Sequence, residues 1–600
     1  MAQYFSRRNL DFLLYEVHHA TELTKYPYFE AHDRETFGMV LDSATQIADT
    51  IMYPHYRDVD RNQPELKEGK VTVHPQIKAF LRAVGEGGLI GAGFPFEQGG
   101  QQLPELIGSC VSFIMMAANN GMMYIGLTSG AANLIASFGS SVLIDTYVAN
   151  LLNGTWQGTM ALTEPQAGSS LSDITTSAEP RADGSYSIKG QKVFISAGDH
   201  DAVDNVVHLM LARIKGAPKG TKGISLFVVP KYRLTDEGTL EQNDVTSTGI
   251  YHKLGQRGTP AMHLTMGEND DCRGWLLGEP NRGLNYMFQM MNEARIGVGM
   301  TGAAIASAAY YASLEYAKER PQSRRLNEKN LLDSPQTMII HHPDVKRMLL
   351  FQKAVVEGSL SLLMESARLS DLVRVTEGEE KENNELLLEL LTPVAKTFPT
   401  EMGVRSVSEG LQVLGGYGFT EDFALEQMYR DIRITPIYEG TTGIQAQDLL
   451  GRKMTIKGGK APQLLFAEIN KTLAAATTYE TLKPYADKLS RELRRLHEVT
   501  QSLLPFAAEG DYERYLMDAT LYMELFGIVT VAWQWLKQGV AAQNALLTRN
   551  PAGEEAAFYE SKLHTMKFYF HYEVPKTLGL ATRLQDTEVL TIANDQTVLL

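Results

Sequence analysis

Apolar positions recur at helical spacing from residue 1 to about 155, clearest in the run from Met39 to Ala48 and in the run from Pro75 to Val84. Between these helices and the next lies Gly91-Ala92-Gly93-Phe94-Pro95-Phe96-Glu97-Gln98-Gly99-Gly100, too rich in glycine to continue a helix. From about 156 to 278 the period shortens. β-rich runs stand at 185–188, 192–196, 206–212 and 224–229, separated by Gly, Asp, Asn and Lys turns. Strands so spaced, with no helix between them, predict an antiparallel barrel or sandwich set between helical segments. Helical periodicity returns from about 280 to 455. It is interrupted by the polar run Arg320 to Asn330 and the acidic run Glu377 to Glu382, both read as solvated loops. Beyond Gly458-Gly459-Lys460-Ala461-Pro462, the residues Leu489, Leu493, Leu496, Val499 and Leu503 fall on one helical face and predict a further bundle.

The pattern therefore predicts a multidomain α+β chain. Its parts are a helical N-terminal domain over 1–155, a β-barrel-like middle domain over 156–278, a helical bundle over 279–457 and an additional helical domain over 460–600. Length and composition agree, since 600 residues that are 44% hydrophobic and 21% charged can bury several cores. A net charge of −15 argues against a phosphate-tracking surface for nucleic acid. The N-terminus has no signal-like apolar core and no apolar run approaches about 18 residues, so no membrane span and a cytoplasmic location are expected. Cys110 and Cys272 are too far apart in sequence for a CxxC motif and are read as buried thiols. The histidines show no metal-ligand spacing, so no metal is expected.

Candidate chemistry concentrates in two places. The first is Ile437-Tyr438-Glu439-Gly440-Thr441-Thr442, shortly after Gln412-Val413-Leu414-Gly415-Gly416-Tyr417-Gly418-Phe419. Glycine beside Glu439 permits a strained turn, and a helix beginning near Thr441 aims N–H groups at a developing oxyanion, so Glu439 is read as a base. The second is Met160-Ala161-Leu162-Thr163-Glu164-Pro165-Gln166-Ala167-Gly168-Ser169 with Phe194-Ile195-Ser196. Hydroxyls of Thr163 and Ser196 and the ring of Phe194 suit the polar edge and the face of an isoalloxazine. A third pattern, Gly297-Val298-Gly299-Met300-Thr301-Gly302, matches GxGxxG but sits inside helical periodicity, so it is read as helix packing and not as a dinucleotide turn.

Taken in order, these motifs resemble the acyl-CoA dehydrogenase family over roughly residues 85 to 455. The likeness includes Lys253-Leu254-Gly255, Leu277-Gly278-Glu279-Pro280, Arg295, Glu319-Arg320 and Arg430-Asp431. The N-terminal helices and the extension past 460 resemble the family's larger-subunit branch. The resemblance implies a helical domain, a β-barrel-like domain and a C-terminal four-helix bundle. It also implies FAD-dependent α,β-dehydrogenation of an acyl-CoA thioester, a β-oxidation step in which Glu439 removes the α-proton and hydride passes to flavin N5. A dry pocket would raise the pKa of the base towards that of its substrate. By matching position, Met160, Leu162, Thr163, Ser169, Phe194, Ile195, Ser196 and Thr441 would line FAD within a subunit. Arg320, Gln412 and Gly416 would reach FAD across a homodimer interface, and Ser169, Arg295 and Gly440 would contact acyl-CoA. Electron-transfer flavoprotein is the implied acceptor.

The chain departs from the family pattern at Ser170 (often Asp), Phe194 (commonly Trp), Gly443 (often Gln) and in the Pro321-Gln322-Ser323 that follows Arg320. None of these removes the base. Alternatives on the same scaffold are an acyl-CoA oxidase using O2, a nitroalkane oxidase or monooxygenase, and a non-catalytic acyl-CoA-binding protein. Short to medium straight acyl chains and thioether acyl groups are the expected substrates.

Overall fold

Helices account for both ends of the chain and strands for its middle, as the change of period predicts. The computed structural model describes residues 3–235, 237–327, 333–586 and 588–592. By internal packing the chain divides into two units, Arg34–Gly297 and the combination of Met1–Asp33 with Val298–Leu600.

In the first unit, helices α1 (Arg34–Ile47), α2 (Pro75–Glu86), α3 (Glu105–Asn119), α4 (Ile125–Phe138) and α5 (Ser141–Leu152) precede the strands. Met115 and Met122 are fully buried, while Met116 and Met123 are half-buried. Among the described residues, the eight strands of the main sheet follow: β1 (Trp156–Ala161), β2 (Ser177–Pro180), β3 (Tyr186–Ser196), β4 (Asn205–Ile214), β5 (Ile224–Pro230), β6 (Val245–Ile250), β7 (Ala261–Met266) and β8 (Arg273–Leu277). They join in one sheet of order β6-β7-β3-β8-β5-β4-β1, with β2 paired to β3 and β4. Most pairs are antiparallel, while β1 and β2 each run parallel to β4. Every residue of β4 from Asn205 to Ala212 is buried, which accounts for a run that is apolar apart from Asn205 and His208. Helix α4 lies directly on β1. Thr128 Oγ1 accepts from Gly158 N at 3.2 Å and from Gln157 Nε2 at 2.7 Å, and a Cβ at Gly158 would stand 2.6 Å from that of Ala131.

Two expectations are corrected here. Residues 186–188 and 192–196 are one strand, because Gly190 carries β3 through at φ +154° in place of a turn. The acidic run at 377–382 is no loop. Gly378–Leu414 is helical, and Glu379 and Glu380 occupy its first turn, where carboxylates meet the positive end of the helix dipole.

Helix α6 (Gly283–Glu319) leads into the second unit, followed by α7 (Pro343–Val375), α8 (Gly378–Leu414), α9 (Leu425–Ile432) and α10 (Thr442–Asp448). The GxGxxG pattern is mid-helix in α6. A Cβ on Gly299 would lie 2.0 Å from the Ala395 carbonyl oxygen and one on Gly302 2.8 Å from that of Pro399, so the glycines let α6 and α8 touch through their backbones. Residues 320–327 form the expected polar loop, and Glu328, Lys329 and Asn330 lie outside the described residues.

The C-terminal helices α11 (Lys460–Thr477), α12 (Lys483–Ala508), α13 (Ala519–Arg549) and α14 (Gly553–Tyr572) belong to this same unit. Leu489, Leu493, Leu496, Val499 and Leu503 are all buried along α12, each contributing roughly 1.5–3 kcal/mol. Asn9 and His18, from the N-terminal segment, pack here too. His18 Nδ1 meets Glu365 at 3.2 Å, Glu365 pairs with Lys537, and Lys562 pairs with Glu357 at 2.8 Å while bonding Asn9. Burial, reinforced by Lys537, lowers the His18 imidazole to about 4 against the pull of Glu365.

Among the described residues, no single helix is long and apolar enough to cross a membrane. The pair Glu105–Met122 and Ile125–Phe138 passes on length and composition together but is bent by 112°. Cys110 and Cys272 are buried, and Cys110 Sγ donates to the Leu106 carbonyl.

Candidate functional site

In the first unit, the sequence-predicted residues gather where β1 ends beside β3. Val193 N donates to the Thr163 carbonyl at 2.9 Å, which brings 162–163 alongside 192–193. The pairing of β3 with β7 shifts register between Met262 and Leu264, so Val193 and Phe194 together face one residue of β7. This is a β-bulge, and Phe194 takes φ +59° within it. The bulge turns the Phe194 ring outward to 61% exposure, where it packs on Tyr251 with centroids 4.4 Å apart and planes 30° apart. A large apolar ring held out by a costly backbone conformation suits the face of a flat ligand.

Thr163 and Ser196 are half-buried beside this ring, Met160 is buried on β1, and Ser169 is exposed on the loop beyond. The Ile195 side chain is buried in the sheet core beside Met262, so only its backbone is presented at the surface. Arg295 is buried on α6, with Nη1 donating to Asn292 Oδ1 at 3.4 Å. Two hydroxyls, an exposed ring and strand-end backbone fit an isoalloxazine.

Sequence reasoning missed what lies beneath. Glu164 and Lys192 form an ion pair of 2.9 Å, with side chains 1% and 0% exposed. Burial alone would raise the Glu164 carboxyl, but Lys192 and the bonds from Thr175 and Thr176 outweigh it and hold the group at about 2. Burial pulls the Lys192 ammonium down to about 8 in spite of Glu164, which leaves both groups charged at neutral pH. The available signal was a lysine inside the run Lys192-Val193-Phe194-Ile195, where an apolar strand interior calls for a partner.

In the second unit, Glu439 takes φ +53° and Gly440 φ +87° in the turn before α10. Thr441 caps the helix, its Oγ1 accepting from Ile444 N at 3.3 Å. Thr442 N donates to the Pro436 carbonyl at 3.0 Å, and Thr442 Oγ1 donates to Glu401. Gln445, fully buried one turn into α10, donates from Nε2 to the Glu439 carbonyl at 3.1 Å and so fixes the peptide that follows the carboxylate. Its Oε1 has no hydrogen-bond partner among the described residues, an acceptor suited to a ligand hydroxyl or N–H. Gln445 is a second residue that sequence reasoning missed.

The same unit holds a cleft of about 490 Å³ lined by Arg320, Gln322, Gly415, Gly416 and Tyr417. Arg320 follows the last turn of α6, and Gly415 ends α8 at φ +60°. Gln412 is exposed on the last turn of α8, and its carbonyl accepts from Gly415 N. A cation on the same cleft as two glycines with open space around them suits a phosphate-bearing ligand.

Three family models match the chain: "Acyl-CoA dehydrogenase, middle domain" at 159–268, "Acyl-CoA dehydrogenase, C-terminal domain" at 281–454 and "Acetyl-CoA dehydrogenase C-terminal like" at 465–594. The chain is 37% identical over 539 residues to 3-methylmercaptopropionyl-CoA dehydrogenase of Ruegeria pomeroyi, covering 88% of each. It is 34% identical over 578 residues to a butyryl-CoA dehydrogenase of Syntrophomonas wolfei, covering 94% of each. Its fold is similar to that of the acyl-CoA dehydrogenase of Bacillus anthracis complexed with FAD. The TM-score is 0.71 at 20% identity, over 94% of this chain and 90% of that one.

Proposed function

The chain belongs to the acyl-CoA dehydrogenase family and is an oxidoreductase of that class; from this premise we propose that it converts an acyl-CoA thioester to the trans-2-enoyl-CoA with FAD as oxidant and Glu439 as base. The observation that carries this reading is the Glu439 turn. A carboxylate at positive φ, followed by a positive-φ glycine and a capped helix, has its main chain tied down by Gln445. Such strain persists where the surroundings over-determine it, and it pre-organises a base for one proton.

In the proposed reaction the Glu439 carboxylate removes the proton α to the thioester carbonyl, and the Glu439 backbone N–H polarises that carbonyl. The chemistry that bound FAD would supply there is a two-electron oxidation, the β-hydrogen leaving as hydride. Thr163 and Ser196 orient its polar edge, Phe194 covers a ring face, and Met160, Leu162, Ile195, Ser169 and Thr441 complete that wall. Arg320, Gln412 and Gly416 hold the FAD of the other copy in a homodimer, while Ser169, Arg295 and Gly440 contact acyl-CoA. Electrons pass on to electron-transfer flavoprotein.

Two of the relatives are named for short acyl groups, butyryl and 3-methylmercaptopropionyl. A thioether sulfur occupies much the same space as a methylene in an apolar channel, so we assign the substrate to short linear acyl-CoAs, thioether chains included. The test is anaerobic mixing of the purified protein with a graded acyl-CoA series that includes 3-methylmercaptopropionyl-CoA, following loss of the oxidised-flavin band. Bleaching in wild type and not in Glu439→Gln is the expected result. A flavin-loaded protein that none of the series bleaches would overturn the substrate class, and a protein that binds no flavin would overturn the whole reading.

A further inference from the structure

We propose that Lys192 and Glu164 are positioning residues that fix the flavin-facing end of β1 and the loop carrying Ser169. The inference rests on the reading of Met160, Leu162, Thr163 and Phe194 to Ser196 as flavin contacts.

The pair is the centre of a network in which three segments of chain meet, 162–167, 175–176 and 192–193. Lys192 Nζ donates to the Leu162 carbonyl at 3.0 Å as well as to Glu164 Oε1. Glu164 Oε2 accepts from Thr175 N at 2.6 Å, from Thr175 Oγ1 at 2.9 Å and from Gln166 Nε2 at 2.9 Å, while Oε1 accepts from Thr176 N at 3.1 Å. The Glu164 backbone exchanges two hydrogen bonds of 3.0 Å with Ala167, closing the turn that leads into Gly168 and Ser169. Leu162, Thr163 and Glu164 are thus each tied to Lys192 or Val193 on β3, next to the bulge that presents Phe194.

Burying two charges gives little net stability compared with an apolar pair of the same size, so stability is a poor account of this arrangement. What it supplies is direction. Five donors fill the carboxylate, each from a defined position, and the ammonium spends a bond on a main-chain carbonyl two residues before its partner. Neither side chain reaches the surface, so neither is a catalytic residue.

The test titrates FAD into the apoprotein, reading flavin fluorescence and the vibrational structure of the visible band, with far-UV circular dichroism as a control for folding. Lys192→Met removes both Lys192 bonds. It is expected to stay folded while the FAD dissociation constant rises about tenfold to a hundredfold and the band loses structure. Glu164→Gln keeps one acceptor oxygen and is expected to give a smaller rise. Either variant, folded and binding FAD with wild-type affinity and spectrum, would overturn the proposal. If Lys192→Met does not fold, Glu164→Gln decides. Failure of both to fold would also overturn it, by making the pair a requirement of folding. Failure of wild type to bind FAD would instead sink the reading on which the proposal rests.

Discussion

The end of β1 and the Glu439 turn are held in opposite ways. Under the end of β1, a buried ion pair and its directed bonds fix three segments, and the positive-φ residues nearby, Phe194 in its bulge and Ala197 just past β3, stand apart from each other. At Glu439 the main chain takes two positive φ angles in succession, held by a threonine cap and one buried amide. The difference fits the tasks proposed for them. A platform for a large cofactor needs many fixed points over an area, whereas a base needs one carboxylate aimed at one proton.

The comparison can be broken in several ways. The largest effect is expected from Glu439→Gln, which keeps the turn and removes the base: turnover should fall by about 10³–10⁴-fold while FAD affinity is unchanged. Single-turnover bleaching and a flavin titration measure the two separately, and a drop of less than about tenfold would remove Glu439 from its role. Next comes Gln445→Leu, which unties the Glu439 carbonyl without altering the carboxylate. Here kcat should fall about ten- to a hundredfold with FAD affinity intact, the reverse of what Lys192→Met does.

Acid should separate the regions further. Glu164 sits at about 2 in the folded chain against an ordinary 4.5, so its stabilisation is complete above pH 4.5 and is lost as the pH falls towards 2. Fluorescence of Trp156, buried on β1, should report this loss in wild type, and Glu164→Gln should abolish that part of the pH dependence. The smallest effect is expected at Gly440. An alanine there meets the left-handed penalty, and its Cβ falls 2.6 Å from the Gln445 amide nitrogen, so thermal unfolding should show a loss of about 1–2 kcal/mol.

How much was legible depended on how local the cause was. Val206 to Ala212 and Ile224 to Val229 announce themselves as strands because burial on both faces selects mostly apolar residues, with His208 and Ser225 the buried polar exceptions. β1 escaped notice because Gln157, Gly158 and Thr159 read as polar or small. They are buried because α4 packs on them and Thr128 and His208 satisfy their side chains. Glu379 and Glu380 looked like a solvated loop because charge was weighed and helix polarity was not. The Glu439 turn was readable because glycine, threonine cap and carboxylate are neighbours in sequence. Lys192 and Glu164 stand 28 positions apart, and nothing in either neighbourhood names the other.

The sequence by itself determined the alternation of helix and strand, the tight helix contact at Gly299 and Gly302, the strained turn at Glu439 and the motif order that identifies the family. All of these follow from the conformational limits and periodicity of adjacent residues. Tertiary structure alone decided that residues 3–33 pack with the C-terminal helices, that Gly190 continues a strand, that a bulge exposes Phe194, and that Glu164 finds Lys192 and Gln445 holds the main chain of Glu439. Those outcomes depend on which distant groups must satisfy one another once water is excluded, and a buried charge or amide has no preferred partner until the fold supplies one.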